Sequence, residues 1–372
     1  MNNLTILTPT YNRASHLRKL YDSLTGQTDP DFEWLVVDDG STDETQELLE
    51  ELMQEHRLQM RVLRQENGGK HRALNRGIAQ IETELTFLVD SDDYLPPEAV
   101  ETIHRYHEKY YETFCKSIAV KDARDIPEND GNVILCGYSF LRCHADGRVN
   151  TAYFPEDEMI GTYRDVRING NIGGDKAEVF YTEILKRYPF PTFEGEKFLP
   201  EDLVWMRMSG PYRMVHINEN IYTCDYLEGG LTKSGHRMKV HSPRGMVLRS
   251  QVYLEDPAVH FRVRLKMMLL YQIYGRFAGM KLGRQLSGVS RRGLFAVCIL
   301  PSCLIYLKWK KEGYLTQLAE RFAIMRINVA FCFDENLMRQ VRVTVAALLD
   351  ARTDKTTHYD IYCVCTKEAA EA

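Results

Sequence analysis

The feature that most constrains the fold is an alternation of short apolar runs with helical stretches at the start of the chain. The four runs are LTILTPT at 4–10, FEWLVVD at 32–38, MRVLRQ at 60–65 and LTFLVD at 85–90. Between the first two runs, apolar residues recur at helical spacing from Ser15 to Leu24, and Ser41 or Thr42 is expected to cap the helix after the second run. Strands that alternate with helices predict an α/β fold with a doubly wound, mainly parallel sheet.

Polar residues follow three of the four runs, at the ends where a parallel sheet binds its ligands. At and just beyond the end of the first run lie Thr8, Pro9, Thr10, Tyr11 and Asn12. Asp38 and Asp39 lie at the end of the second run, and Asp90, Ser91, Asp92 and Asp93 at the end of the fourth. A single aspartate at a strand end is usually a turn former or a helix cap. Three clusters at one sheet edge instead favour a binding site.

The three carboxylates within residues 90–93 need a positive partner, because like charges this close raise one another's pKa values. Oxygen ligands suit Mg²⁺ or Mn²⁺, and a cationic side chain would also balance the charge. The sequence contains no GxxxxGK loop, and ENGGKHRALNRG at 66–77 does not fit the glycine pattern of dinucleotide-binding folds. A bound phosphate is therefore expected to meet a metal ion and Lys or Arg side chains.

Four segments together resemble the nucleotide-sugar half of the family 2 glycosyltransferases, which have the GT-A fold. They are TPTYNRASHLRKLYDSLTGQ, VVDDGSTDET, NGGKHRALNRGI and FLVDSDDYL, in this order within the first quarter of the chain. The resemblance implies a Rossmann-like GT-A domain and an inverting enzyme with Mn²⁺ or Mg²⁺ as its cofactor. Such an enzyme moves a hexose or N-acetylhexosamine from a UDP-sugar to a hydroxyl of a glycan acceptor, which is a cell-surface polysaccharide or a protein-linked glycan.

The resemblance also assigns roles to residues by their place in these motifs. It places Thr8, Pro9, Thr10 and Asn12 in the nucleotide pocket, and Asp39, with Asp38 behind it, at the uracil. Lys70 or Arg72 would lie near the base or the phosphate, and Asp90 and Ser91 at the ribose. Asp92, together with Asp90, would bind the metal. The aspartates that follow the fourth run would thus mark a metal–diphosphate site.

The second half of the chain is expected to supply the acceptor site and the catalytic base. The segment FEGEKFLPEDLVWMRM at 193–208 matches the Glu-Asp motif of the family, which makes Asp202 the predicted base and gives Glu201 the role of orienting it or contacting the acceptor. Without the upstream motifs, Glu201 and Asp202 would be interpreted as an acidic first helical turn.

In NGNIGGDKAEVFYTEIL at 169–185, Gly173 and Gly174 are expected to let the backbone approach the transferred sugar, and a plain turn is the alternative. The segment CDYLEGGLTKSGH at 224–236 is interpreted as a loop that closes over the donor.

The C-terminal part differs in charge from the rest. Residues 233–311 contain sixteen Lys or Arg and only two acids, which is a net charge of +14 in a chain whose net charge is -5. An apolar core from Leu294 to Leu307 contains Pro301 and is shorter than the roughly 20 residues that cross a membrane. Two interpretations stay open: peripheral association with an anionic membrane, or packing of the helices into a homo-oligomer.

The sequence thus predicts four regions. Residues 1–110 form the nucleotide-sugar-binding half, 111–239 the acceptor-binding and catalytic half, 240–325 a basic helical region, and 326–372 a partial second domain. This last stretch resembles the start of a family 8 glycosyltransferase, with residues 333–336 where that family meets its nucleotide, although the rest of such a domain is missing. An unrelated strand–helix–strand appendage is the alternative.

Two rival functions and the compartment complete the expectations. A nucleotidyltransferase should have a Gly-rich phosphate loop near the N-terminus, and the sequence has none there. A sugar-nucleotide-binding module that transfers no sugar would not need the DxD and Glu-Asp acids, and both are present. Nine cysteines without a CxxC pair and an N-terminus without a secretory pattern predict a cytoplasmic protein, with the inner face of the membrane as a possible location. No nucleic-acid partner is expected.

Overall fold

The computed structural model describes residues 3–120, 133–150, 152–224, 237–324, 327–333 and 359–365. The chain forms two compact units, Met1–Cys303 and Leu304–Ala372. The first unit contains every residue to which the sequence assigns a role in donor binding or catalysis. The predicted donor-closing loop at 225–236 lies outside the described residues.

An eight-stranded sheet forms the centre of the first unit, with strand order β3-β2-β1-β4-β7-β5-β8-β6. The strands are β1 Leu4–Thr10, β2 Phe32–Asp38, β3 Met60–Arg64, β4 Leu85–Leu88, β5 Leu135–His144, β6 Met159–Gly161, β7 Ala177–Tyr181 and β8 Arg213–Cys224. The first four strands are parallel to one another and β5 is parallel to β8, whereas β7 and β6 run in the opposite direction within this sheet. The predicted mainly parallel sheet is confirmed.

Helices alternate with the first four strands and then dominate the C-terminal part. They are α1 Ala14–Thr25, α2 Thr45–Gln54, α3 Lys70–Ile78, α4 Ala99–Lys109, α5 Tyr111–Ala119, α6 Thr182–Leu185, α7 Asp202–Met208, α8 Pro243–Glu255, α9 Phe261–Phe277, α10 Leu282–Ser287 and α11 Arg292–Ile324. A π-helical turn, Arg164–Asn169, precedes β7. In α1, the residues at positions 17, 20, 21 and 24 are buried, which is the helical spacing that predicted this helix.

The core lies against the central strands. Every residue of β1 and β2 is buried, as expected for parallel strands that have helices on both faces. Trp34 is fully buried, and its indole Nε1 donates a hydrogen bond to Thr8 Oγ1 at 3.0 Å. Thr8 therefore stabilises the core beneath the sheet edge.

The predicted cap of the second helix is wrong. The helix begins at Thr45, and neither Ser41 nor Thr42 caps it with a side-chain hydrogen bond. Instead, Asp43 Oδ1 accepts a hydrogen bond from the Thr45 amide at 3.2 Å, while Ser41 Oγ accepts one from the Asn12 amide at 2.9 Å. Ser41 thus joins the loop after β2 to the loop after β1.

The C-terminal helix α11 is longer than the sequence indicates. It continues through Pro301, so the segment Arg292–Lys311 is long and apolar enough to cross a membrane by length and composition alone. In the second unit, strands β9 Ile327–Phe333 and β10 Tyr359–Cys365 pair in parallel. Residues 334–336 of the predicted second nucleotide contact lie outside the described residues, and the likeness of this stretch to family 8 stays a prediction.

Candidate active site

The sheet topology brings the predicted acids to one edge. Thr10 and Asp38 are register partners at the ends of β1 and β2, and β4 lies on the other side of β1. Because β7 is antiparallel to β4, residues 173–176 before β7 reach the same edge. The carboxyl ends of the parallel strands and the start of β7 therefore surround one region, as expected for an α/β sheet.

Lys70 joins the two halves of this region. It is the first residue of α3, and its ammonium Nζ lies 2.5 Å from Asp90 Oδ1 and 2.7 Å from Glu201 Oε1. Burial lowers the pKa of Lys70, but the two carboxylates outweigh that effect and raise the pKa above its ordinary value. Lys70 is therefore charged at neutral pH and is a cationic partner of the kind that the acidic cluster requires.

Arg142 is a second cation beside the cluster. It is mostly buried on β5, and its Nη1 lies 3.5 Å from Asp90 Oδ2 and 3.8 Å from Asp93 Oδ2. Its guanidinium group lies 3.9 Å from the centre of the Tyr222 ring. The Tyr222 hydroxyl donates to Asp93 Oδ2 at 2.8 Å and accepts from the Asp90 amide at 2.9 Å. Arg142 and Tyr222 thus fix the turn that carries the acids.

These contacts separate the pKa values of two neighbouring aspartates. Burial raises the pKa of Asp90, but Lys70 and Arg142 outweigh it and lower that pKa to about 2. Burial and the Asp90 charge raise the pKa of Asp93 to about 7, against the hydrogen bond from Tyr222. Asp90 is therefore ionised at neutral pH, whereas Asp93 keeps its proton to a higher pH than an ordinary aspartate does.

Asp92 is the member of the cluster that is best placed to meet a metal ion. Its side chain is 32% exposed, and its Oδ2 lies 3.9 Å from Arg13 Nε. Among the described residues no group of three His, Cys, Asp or Glu side chains could hold a metal ion by itself. Mg²⁺ is commonly held by one or two carboxylates together with substrate phosphates. Asp92 fits such a shared site, while Lys70 and Arg142 already balance the charge of Asp90.

Asp39 holds a loop. Its carboxylate is buried and accepts hydrogen bonds from the amides of Gly68 at 2.8 Å and Gly69 at 2.7 Å, and from Gln65 Nε2 at 2.7 Å. Gly69 has a positive φ of 95°, and a Cβ there would lie 2.0 Å from the carbonyl oxygen of Lys197. Asp39 and Gly69 together set the start of α3 and so the position of Lys70.

The remaining predicted nucleotide contacts at the ends of β1 and β2 are mainly buried. Asp38 accepts a hydrogen bond from the Ser41 amide at 2.9 Å, and Asn12 Oδ1 accepts one from the Thr42 amide at 2.8 Å. Pro9 and Ser91 are buried as well. The Thr10 hydroxyl is buried and makes no hydrogen bond to the described residues. An unsatisfied hydroxyl at this edge fits a pocket whose ligand would supply the partner.

Arg72 contacts the protein backbone. Its Nη1 donates to the carbonyl oxygens of Gly68 at 2.6 Å and Glu196 at 2.7 Å, and its Nη2 donates to that of Phe193 at 2.7 Å. Arg72 thus ties the loop before α3 to the segment before the Glu-Asp motif. Lys70 and Arg72 are the two predicted contacts to base or phosphate. The charged group of Lys70 lies beside Asp90 and Glu201, whereas that of Arg72 binds backbone carbonyl oxygens.

Glu201 and Asp202 are neighbours in the chain but have different partners. Arg249 Nε on α8 donates to Asp202 Oδ1 at 2.7 Å and to Oδ2 at 2.9 Å, and its Nη2 also binds Oδ2. The Tyr253 hydroxyl donates to Asp202 Oδ2 at 2.7 Å. Burial raises the pKa of Asp202, but Arg249 outweighs it and lowers that pKa, so the carboxylate stays ionised at neutral pH.

The Gly-rich segment before β7 is held by arginine. Arg167 donates to the carbonyl oxygen of Ile172 at 3.0 Å and to that of Gly174, which has a positive φ of 75°. A Cβ at Gly173 would meet no atom within 4 Å. Lys176 is buried, and its Nζ donates to the carbonyl oxygen of Ala152 at 2.5 Å. Gly173 therefore leaves open space at the edge.

Sequence reasoning missed four residues of the site: Arg142, Tyr222, Arg249 and Tyr253. One signal was present for the first of them, because Arg142 is a charged residue within the otherwise apolar run LCGYSFLRCH of β5. A charged side chain in a buried strand usually needs an opposite charge. The other three have no comparable local signal.

Comparison with known proteins agrees with this architecture. Residues 5–135 match the family model described as Glycosyl transferase family 2. The glycosyltransferase GlyA of Streptococcus pneumoniae is 34% identical over 129 residues, which are 34% of this chain and 18% of GlyA. The poly(ribitol-phosphate) beta-N-acetylglucosaminyltransferase TarS of Staphylococcus aureus is 32% identical over 113 residues, which are 30% of this chain and 20% of TarS. The similarity thus spans about a fifth of each of these relatives.

The crystal structure of residues 1–349 of S. aureus TarS in complex with UDP-GlcNAc is similar over more of the chain. The similarity covers 80% of this chain and 80% of that one, with a TM-score of 0.52 and 20% identity. At this identity the similarity shows the fold. The chain therefore has the GT-A fold, followed by a C-terminal helical region.

Proposed function

We propose that the chain is an inverting glycosyltransferase that moves a hexose or N-acetylhexosamine from a UDP-sugar to a hydroxyl of a glycan acceptor. The observation that carries this proposal is the bridge by Lys70 between Asp90, beyond β4, and Glu201 of the Glu-Asp motif. The bridge joins the donor-side acids and the predicted acceptor-side acids in one site. The family 2 match over residues 5–135 and the UDP-GlcNAc complex of the similar TarS support the UDP-sugar as donor.

On the donor side, Asp92 with Asp90 would hold Mn²⁺ or Mg²⁺. Such an ion supplies positive charge to the diphosphate and stabilises the leaving UDP. Lys70 is a positive charge fixed beside the same acids, and the buried Thr10 hydroxyl offers a hydrogen-bonding group to the nucleotide. The assignments of Asp39 to the uracil and of Gly173 to the transferred sugar stay proposals of the same kind.

On the acceptor side, Asp202 is the proposed base that takes the proton of the attacking hydroxyl. Its Oδ2 accepts hydrogen bonds from Arg249 and Tyr253, whereas Oδ1 accepts one, from Arg249 Nε. Oδ1 therefore accepts fewer hydrogen bonds from the protein and is the proposed acceptor of the substrate proton. Arg249 keeps the carboxylate ionised and oriented, and positioned base catalysis typically contributes about 10²- to 10⁴-fold in rate.

The proposal is tested by incubating the chain with a panel of UDP-sugars and glycan acceptors in Mn²⁺ or Mg²⁺, and measuring UDP release and glycan mass. We expect acceptor-dependent release with one donor, and its loss when a chelator removes the metal. Asp92→Asn should lose this activity, and the matched variant Asp146→Asn, at an exposed turn outside the site, should retain it. UDP binding without transfer to any acceptor would instead favour a sugar-nucleotide-binding module.

The compartment and the assembly stay predictions. The cysteines that the structure describes up to Cys303 are free thiols, which agrees with a reducing cytoplasm. A homo-oligomer through the C-terminal helices is tested by light scattering of the purified chain.

A further inference from the structure

The part of helix α11 that belongs to the first unit, up to Cys303, has one buried side. Phe295, Cys298 and Ser302 are buried, and their spacing places them on one face of the helix. Gln272 on α9 donates from Nε2 to the carbonyl oxygen of Phe295 at 2.7 Å and accepts from Ser302 Oγ at 2.6 Å. Arg276 Nη1 on α9 donates to Ser302 Oγ at 3.0 Å. This side of α11 therefore packs against α9.

The opposite side of the helix is apolar and faces solvent. We call it the outer face of α11; in the first unit it consists of Val297 and Leu300, which are 71% and 69% exposed, and the same helix continues with Leu304 and Leu307, which are 60% and 55% exposed. The spacing of three, four and three residues keeps them on one side over about 15 Å. The exposed side of a surface helix is normally polar, and a contiguous apolar patch marks a surface that binds something apolar.

The charge around this face identifies what it binds. Residues 257–311 contain eleven Lys or Arg and no Asp or Glu. Arg292 lies before the outer face, and Lys308, Lys310 and Lys311 lie at its end. A second copy of the chain would bring the same positive segment against itself, because a two-fold contact pairs identical surfaces. An anionic lipid surface offers both the apolar layer and the opposite charge.

The anchored side decides how the helix meets the lipid. A helix that crossed the bilayer would have to lose the contacts of Ser302 with Gln272 and Arg276 and bury that polar side in hydrocarbon. We propose that the outer face of α11 inserts into the interface of an anionic bilayer while the helix lies parallel to the membrane surface. The Lys and Arg residues at both ends then contact lipid phosphates. The proposal concerns a surface away from the candidate active site and does not depend on the reaction.

The test is flotation of the whole chain with vesicles of phosphatidylcholine that contain about a third phosphatidylglycerol, beside vesicles of phosphatidylcholine alone. We expect binding to the anionic vesicles in low salt and its loss near 1 M salt, where charges are screened within about 3 Å. Leu300→Glu should weaken binding at least tenfold, because it places a charge in the apolar layer. Met53→Glu, the same charge change at an exposed position of α2, should bind like the parent protein.

Both variants change exposed side chains, so equal thermal unfolding midpoints will show that both are folded. The proposal is overturned if the parent protein does not float with anionic vesicles, or if Leu300→Glu floats as the parent does. It is also overturned if the bound protein resists high salt and needs detergent for release, which indicates a spanning helix. A dimer that light scattering detects and that Leu300→Glu dissociates would show that a second copy covers the face.

Discussion

The acidic cluster of Asp90 and Asp93 and the carboxylate of Asp202 differ in the cations that lie beside them. Asp90 lies beside two cations, Lys70 on α3 and Arg142 on β5, whereas Asp202 lies beside Arg249 on α8. Asp90 also has a neighbouring acid, Asp93, whose pKa is raised to about 7 by burial and the Asp90 charge. The cluster around Asp90 therefore contains an acid whose pKa is raised towards neutral pH, whereas the pKa of Asp202 is lowered.

The difference fits two separate tasks. A metal–diphosphate site benefits from several carboxylates whose charge is only partly balanced by protein cations. A base needs one ionised carboxylate in a fixed orientation, which Arg249 and Tyr253 provide for Asp202. Lys70 connects the two regions through Glu201.

The largest expected effect is on stability when the buried cation of each region is removed. Arg249→Met removes the cation that Asp202 contacts and leaves this buried carboxylate with the Tyr253 hydroxyl, so we expect a loss of about 4 kcal/mol in the free energy of unfolding by urea. Arg142→Met leaves Asp90 with Lys70 and Asp93 with the Tyr222 hydroxyl, and we expect a smaller loss of about 3 kcal/mol. Arg142→Lys, which keeps the charge, should lose less than Arg142→Met. Equal losses for the two Met variants would remove the proposed difference in charge balance.

A smaller effect is expected in the pH dependence of stability, at a third buried acid. Burial raises the pKa of Glu178, on β7 beside Arg167, to about 7 against the attraction of Arg167 and Arg142. Between its unfolded pKa near 4.3 and this value the folded state keeps a proton that the unfolded state releases, so wild-type stability falls as pH rises. The free energy of unfolding of Glu178→Gln relative to that of wild type should therefore rise by up to about 1.4 kcal/mol per pH unit across this window. Above the window the difference should stay constant.

Asp202 should behave in the opposite way. Its lowered pKa contributes stability above the unfolded pKa, and this contribution is lost only as the pH falls through the folded value. Denaturation curves of Glu178→Gln and Asp202→Asn from pH 2 to 8 compare the two, because the window of Asp202 lies below the ordinary aspartate pKa of about 3.9. A stability difference for Glu178→Gln that does not change with pH would contradict the raised pKa.

The sequence could predict the N-terminal strands of the sheet well because their signals are local. The apolar period of β1, β2 and β4 and the acids after them predicted both the strands and the edge where they meet. Asp90 and Glu201 were each singled out by a motif, although the lysine that joins them was predicted only as a base or phosphate contact. The Gly-rich segment before β7 also has a local signal, and the antiparallel pairing of β7 with β4 brings Gly173 and Gly174 to this edge.

The partners of the acids could not be predicted, because they depend on long-range topology. Tyr222 is 129 residues from Asp93, and the two meet because Tyr94, in the turn after β4, forms a β-bridge with Thr223 of β8. Arg249 is 47 residues from Asp202, on a helix whose basic residues suggested a surface role. A charge pattern alone does not distinguish a buried arginine that binds a carboxylate from an exposed one. In α11, Pro301 was expected to limit the apolar segment, but the helix continues through it.

The central claim is that the two regions have separate tasks, and the most direct test is one variant measured in two ways. Asp202→Asn keeps the shape of the side chain but cannot accept the proton, so UDP affinity by calorimetry in Mn²⁺ should stay within about twofold of wild type. The rate of sugar transfer should fall by about 10²- to 10⁴-fold, because the lost interaction forms only in the transition state. Asp146→Asn should change neither quantity. If Asp202→Asn instead transfers sugar near the wild-type rate, or loses UDP affinity, Asp202 is not the base and the division of tasks between the two regions is wrong.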